Sequence, residues 1–164
     1  MEVKNIFVVG AGLMGSGIAQ TAIVSGFKVT LNDQRVEALD RAHDGIAKNL
    51  NREVEKGRMS QEDCDAAIAR LSTSASMQPA KDADLVIEAI FENLDAKQSV
   101  FKQLEDICPP HTIFASNTSS ISLTSLAAAT KRPSQVVGMH FFSPVPKMKL
   151  CEVICGLLTA QDVL

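Results

Sequence analysis

Tryptophan and tyrosine are absent from this sequence of 164 residues, and phenylalanine supplies the whole 4% aromatic content. Stacking platforms for nucleic-acid bases are therefore poorly supplied. Neither sign of charge dominates: 16 Lys and Arg stand against 19 Asp and Glu, for a net charge of −3. That balance gives no support to a nucleic-acid partner or a membrane surface. Apolar runs long enough to span a bilayer are missing too. The N-terminal apolar run stops in glycines instead of a small-residue cleavage site, so no signal peptide is expected. The four cysteines, Cys64, Cys108, Cys151 and Cys155, fall at no metal-ligand spacing, and no metal is expected. They fit the reduced thiols of a cytoplasmic protein. Repeats, low-complexity stretches and linkers are lacking, while a hydrophobic content of 46% suffices for one domain with a real core.

What is present begins at once. Ile6-Phe7-Val8-Val9 reads as a buried parallel strand and runs into Gly10-Ala11-Gly12-Leu13-Met14-Gly15, the G-x-G-x-x-G spacing. Ile18 to Val24 then continues as an apolar-rich helix. In such a unit the first glycine permits the tight turn, the second admits a pyrophosphate, and the third lets helix and strand approach. The free N–H groups and positive end of the helix face the phosphates. Phe27 to Asp33 reads as a second strand that ends in an acid 18 residues after Gly15, where a ribose-binding carboxylate is expected. Such an acid accepts from the ribose 2′-hydroxyl and repels a 2′-phosphate, which points to NAD rather than NADP. The same spacing also occurs as a glycine-rich turn in unrelated α/β proteins.

Val36, Leu39, Ala42, Ile46, Leu50 and Val54 recur at helical intervals, and Ser60 can cap a shorter helix from Gln61 to Leu71. This pair is longer than a crossover needs and predicts an inserted helical hairpin. Strands are expected over 71–75, 84–90, 112–116 and 135–141, with helices over 94–107 and 123–129 between them. Beyond Pro144 and Pro146, alternation over 147–154 places Leu150, Glu152 and Ile154 on one strand face, and Thr159 can cap a final helix. Strands alternating with helices predict an α/β, Rossmann-type, doubly wound and mostly parallel sheet, which the final, proline-separated strands can extend in the antiparallel sense.

Three motifs now stand at consistent distances: Gly10 to Gln20, then Ser116-Asn117-Thr118-Ser119-Ser120, then His140-Phe141-Phe142-Ser143-Pro144-Val145-Pro146. Together they resemble the NAD-binding domain of the L-3-hydroxyacyl-CoA dehydrogenases, a family that includes bacterial 3-hydroxybutyryl-CoA enzymes, over essentially the whole chain. The resemblance implies oxidation of the 3-hydroxyl of a short acyl-CoA to a ketone, or the reverse. It implies His140 as general base, Glu152 as the carboxylate that orients it, and Ser119 at the substrate hydroxyl. Cofactor contacts carry over to Gly10, Gly12, Leu13, Met14, Gly15, Asp33, Glu92, Lys97, Asn117 and Ser143, with Met14 packing under the cofactor. Lys56 and Asn49 fall where the family touches CoA. Two positions depart: Asn49 stands where members can carry a serine, and Ser143 replaces the asparagine of H-F-F-N-P, with a shorter reach. The family also carries a C-terminal helical domain for substrate and dimerisation that residues 1–164 do not supply. The resemblance therefore implies a NAD-binding half, a homodimer only for the full-length protein, and little turnover by this half alone.

The residues themselves support part of this. A histidine at the C-terminal end of a strand can take an alcohol proton, and imidazole suits the task because its unperturbed pKa is about 6.5. The competing explanations stay open at this point. His140 and Glu152 also fit a structural core pair, Asn-Thr-Ser-Ser is ordinary turn and N-cap sequence, and Glu92, Lys97 and Lys56 fit solvated positions. His43 and His111 lack comparable surroundings and are expected in solvent. Another Rossmann 3-hydroxyacid dehydrogenase, or a non-catalytic dinucleotide-binding module, would share the N-terminal motif.

Overall fold

β1 (Asn5–Val9) is apolar on both faces, so it requires cover on two sides and belongs in the middle of a sheet. The computed structural model, which describes residues 2–164, places it there. On one side lie β2 (Lys28–Asn32) and β3 (Leu71–Ser74). On the other lie β4 (Leu85–Glu88), β5 (Ile113–Ser116), β6 (Val136–Phe141) and β7 (Cys151–Cys155). The order is β3-β2-β1-β4-β5-β6-β7, parallel throughout except for β7, which runs antiparallel to β6. This is the expected doubly wound Rossmann-type sheet. Its direction of winding reverses between β1 and β4, where ligands of such sheets bind.

Period-two alternation divides the core. Ile6 and Val8 point to the face covered by α1 (Leu13–Val24), α2 (Val36–Glu55) and α3 (Gln61–Ile68), among Ile18, Ile23, Leu39, Ile46 and Cys64. Phe7 and Val9 point to the opposite face, covered by α4 (Leu94–Glu105) and α5 (Leu123–Ala127), among Phe101, Leu104, Phe114 and Leu126. The hairpin α2–α3 is present, and its inner residues Ile46, Leu50 and Ala67 belong to the first cluster. Register levels the strand ends: Val9 pairs with Asn32 and Glu88, Glu88 with Ser116, and Ser116 with Gly138. The loops after β1, β2, β4 and β5 therefore start at the same height, while β6 runs on past Gly138 to Phe141. Among the described residues no helix is long and apolar enough to cross a membrane.

The C-terminal expectations need correction. β7 starts only at Cys151, because the N–H groups of Lys147 and Met148 turn back onto the Pro144 carbonyl. Leu150 thus lies outside the strand that carries Glu152 and Ile154, and the side bearing Glu152 and Ile154 is open to solvent. Thr159 caps no helix: its hydroxyl accepts from the Gly156 N–H and donates to the Val136 carbonyl, and only a 3-10 turn, Gln161–Val163, follows. The helix expected to reach Leu71 stops at Ile68, since Leu71 is taken by β3.

Phe101 is fully buried against Phe114, with ring centroids 5.4 Å apart. Phe101→Ala should lower the unfolding free energy by about 3–5 kcal/mol. The exposed Phe91, changed the same way, should stay within about 0.5 kcal/mol. Urea denaturation of both variants measures the contrast.

Candidate functional site

The first loop is shaped by contacts that only glycine permits. Gly10 has φ of +104°, and a Cβ on Gly15 would lie 1.7 Å from the Gly10 carbonyl oxygen. α1 consequently starts hard against the end of β1. A Cβ on Gly12 would meet nothing within 4 Å, so the space above the helix start is open. No side chain caps that start, and its first turn holds no acid. Unpaired N–H groups facing open space fit the phosphates of a dinucleotide. Leu13 is exposed beside them, and Met14 is partly buried against the core.

Asp33 closes this loop from β2. Its Oδ2 accepts from the Ala11 N–H at 3.0 Å, and its Oδ1 accepts from the Arg35 N–H at 3.0 Å and the Arg35 Nε at 3.4 Å. Burial raises the cost of ionising this carboxyl, but the backbone donors of Arg35 and Ala11 outweigh it and hold its pKa below the ordinary carboxylate value.

At the far side of the same edge, β6 pairs with β7 so that His140 stands opposite Glu152. His140 Nδ1 lies 2.9 Å from Glu152 Oε2, and the ring tilts against Phe142 at a centroid distance of 4.7 Å. The imidazole is 22% exposed and the carboxylate 49%, so this is not a sealed core pair. His140 lies two residues beyond Gly138, the partner of the last residue of β5. The loop after β5 therefore leaves beside it, and Asn117 Oδ1 accepts from the Phe141 N–H at 2.9 Å to bind that loop to β6. Ser119 is exposed on the same loop.

Between these two halves lies a network absent from the sequence expectations. Glu88, at the end of β4, has no exposure. One oxygen accepts from the Ile90 N–H and from Lys97 Nζ, each at 2.7 Å, and the other accepts from the Ser116 hydroxyl at 2.6 Å. Lys97 is 1% exposed rather than solvated, and also lies 3.3 Å from Glu92. Glu92 in turn accepts from the hydroxyls of Thr118 and Ser120. Burial works against the ionised Glu92, but Thr118 and the Lys97 charge hold its pKa below the ordinary range. A signal for Lys97 did exist: with Val100, Phe101 and Leu104 it completes an i, i+3, i+4, i+7 stripe. Glu88 gave none, because its neighbours read as a plain apolar strand.

The remaining residues sit apart. Asn49 lies on α2 and donates to Gln20 of α1 at 3.2 Å, while Lys56, at the end of α2, is exposed 3.7 Å from Glu53. Ser143 follows β6. His43 is only half-exposed, its Nδ1 3.7 Å from Asp44, while His111 is exposed as expected, with its Nε2 3.3 Å from Asp84.

A family profile described as 3-hydroxyacyl-CoA dehydrogenase, NAD binding domain, matches residues 5–164. A probable 3-hydroxybutyryl-CoA dehydrogenase of Bacillus subtilis is 52% identical over 99% of this chain and 56% of its own length. The crystal structure of a 3-hydroxybutyryl-CoA dehydrogenase from Escherichia coli superposes with a TM-score of 0.98 at 46% identity, over 99% of this chain and 34% of that one. The (S)-3-hydroxybutyryl-CoA dehydrogenase of Ralstonia eutropha gives 0.96 at 42% identity, over 99% and 57%. The chain thus spans about half the length of the Bacillus and Ralstonia relatives and a third of the Escherichia one.

Three variants test the network. Lys97→Met strands the buried Glu88 carboxylate and should cost about 3–5 kcal/mol in denaturant unfolding, while Glu88→Gln/Lys97→Met recovers most of the loss. The lowered pKa of Glu92 adds stability above the ordinary carboxylate range, which is lost as pH falls through the folded-state value. Thr118→Val removes part of that increment, so the parent should exceed the variant by more at pH of about 7 than at about 3. Equal gaps at both pH values would show that the hydroxyl does not favour the ionised carboxylate.

Proposed function

The chain belongs to the NAD-binding domains of the 3-hydroxyacyl-CoA dehydrogenase family, and from that premise we propose that its protein interconverts short-chain 3-hydroxyacyl-CoA and 3-ketoacyl-CoA esters. Residues 1–164 act in this proposal as the cofactor-binding domain. A helical domain supplies the rest of the substrate cleft and the homodimer contact. Four free cysteines support a reducing, cytoplasmic setting.

The observation that carries the proposal is the 2.9 Å contact between His140 Nδ1 and Glu152 Oε2, on the carboxyl edge that also bears the glycine loop. A carboxylate only accepts, so Nδ1 holds the proton and Nε2 presents its lone pair. His140 takes the 3-hydroxyl proton on Nε2 during oxidation and returns it during reduction. Glu152 keeps the tautomer and steadies the imidazolium that forms. Ser119 holds the substrate oxygen, and Asn117 keeps that loop against β6. The carbon that bears this hydroxyl keeps its oxygen and gives up its hydride, for which NAD, when bound, would be the acceptor, so that a ketone is left. Gly10, Gly12, Leu13, Met14 and Gly15 would hold its phosphates, Asp33 its ribose, and Glu92 and Ser143 the wall towards the nicotinamide, with the buried Lys97 holding Glu92 from behind. Asn49 and Lys56 meet the CoA portion from α2.

His140→Ala and Glu152→Gln, in the protein that carries this chain, are expected to slow acetoacetyl-CoA-dependent oxidation of NADH by about 100- to 10,000-fold for the base itself, and by less for its orienting carboxylate. NADH affinity should be retained in both. An undiminished rate for His140→Ala would move the proton transfer to another residue.

A further inference from the structure

The carboxylate of Asp33 is more fully engaged than a ribose-binding acid needs to be. A carboxylate offers about four lone-pair sites. The Arg35 N–H and Nε occupy both of those on Oδ1, and the Ala11 N–H occupies one on Oδ2. One site is left for the two hydroxyls of a ribose. The backbone bonds belong to the loop itself, but the arginine side chain does not. It is 70% exposed, against 12% for Asp33, and reaches the carboxylate by one long contact of 3.4 Å. It can leave Oδ1 without disturbing the loop.

We propose that Arg35 is a second determinant of cofactor choice, one that offsets the charge of Asp33 and offers a guanidinium to a 2′-phosphate. The proposal rests on the glycine loop being a dinucleotide site. With the ribose form of the cofactor, Arg35 competes with the sugar hydroxyls for Oδ1. With a phosphate in their place, the same guanidinium turns from the carboxylate to the phosphate, whose oxygens suit its planar fork. Asp33 still disfavours the phosphate. The discrimination is nevertheless shallower than an unaccompanied acid would set, and the phosphorylated dinucleotide becomes a weak second ligand of the same site.

The test is the ratio of dissociation constants for NADPH and NADH, followed by nicotinamide fluorescence on this chain. The parent should prefer NADH. Arg35→Leu keeps apolar bulk without charge and should weaken NADPH by about tenfold, the scale of one lost charge-assisted hydrogen bond, while leaving NADH unchanged or slightly tighter. Arg35→Lys, which keeps the charge but not the fork, should fall between. Circular dichroism checks that each variant folds, as an exposed side chain predicts. A ratio that Arg35→Leu does not move overturns the proposal, and so does equal weakening of both ligands, which would mean that Arg35 only shapes the loop. A folded parent that binds neither dinucleotide overturns the nucleotide site itself, and this proposal with it.

Discussion

The Glu88 carboxylate, held without solvent at the end of β4, is the constraint around which the ligand-facing edge is arranged. A buried charge is tolerated only where donors surround it. Its donors come from three segments: the loop after β4 through Ile90, α4 through Lys97, and β5 through Ser116. The contacts then pass from Lys97 to Glu92, and from Glu92 to Thr118 and Ser120 in the loop after β5. Removing one partner of an exposed pair such as Lys56–Glu53 costs about 0–1 kcal/mol, whereas removing one partner of a buried pair costs about 3–5 kcal/mol because it strands the other charge. Its site is the central crevice where the winding of the sheet reverses, and it fixes the loops that form one wall of that crevice.

On one side of this network stands the glycine loop, shaped by close backbone approach at Gly15 and closed by Asp33. On the other stands the His140–Glu152 pair, on the two strands that finish the sheet. Asn117 and Ser116 tie the second half to the first, since one binds β6 and the other binds Glu88. Backbone sterics set one half, then, and side-chain hydrogen bonding sets the other. Register sets the glycine loop level with the ends of β4 and β5, and His140 stands two residues further along β6.

Most of this architecture is legible in the residues, because an apolar strand that runs into spaced glycines has few alternative folds. The positions of Asp33, His140 and Glu152 follow from that pattern and the family resemblance. The interior electrostatics were not legible. Glu88 sits in a four-residue strand whose other members are all apolar, and a carboxylate there reads as a strand end until its donors are seen. Lys97 lies on the apolar stripe of α4, but a lysine is so rarely buried that composition argues against the pattern. The C-terminal part misled for a different reason. Alternation over 147–154 looks like one strand, yet the turn onto the Pro144 carbonyl consumes its first half.

Among the described residues β7 has a neighbour on only one side, and Val153 and Ile154, on its opposite faces, are both exposed. Edge strands lie at the low end of the local opening free energies within a domain, while a central strand such as β1 opens only with the whole. Glu152 therefore rides on a segment free to fray when nothing caps it, whereas the glycine loop is moored to the most protected strand. The glycine loop and the proposed proton-transfer pair are in this way built on parts of unequal durability, and whatever shields the outer strand steadies the second without touching the first.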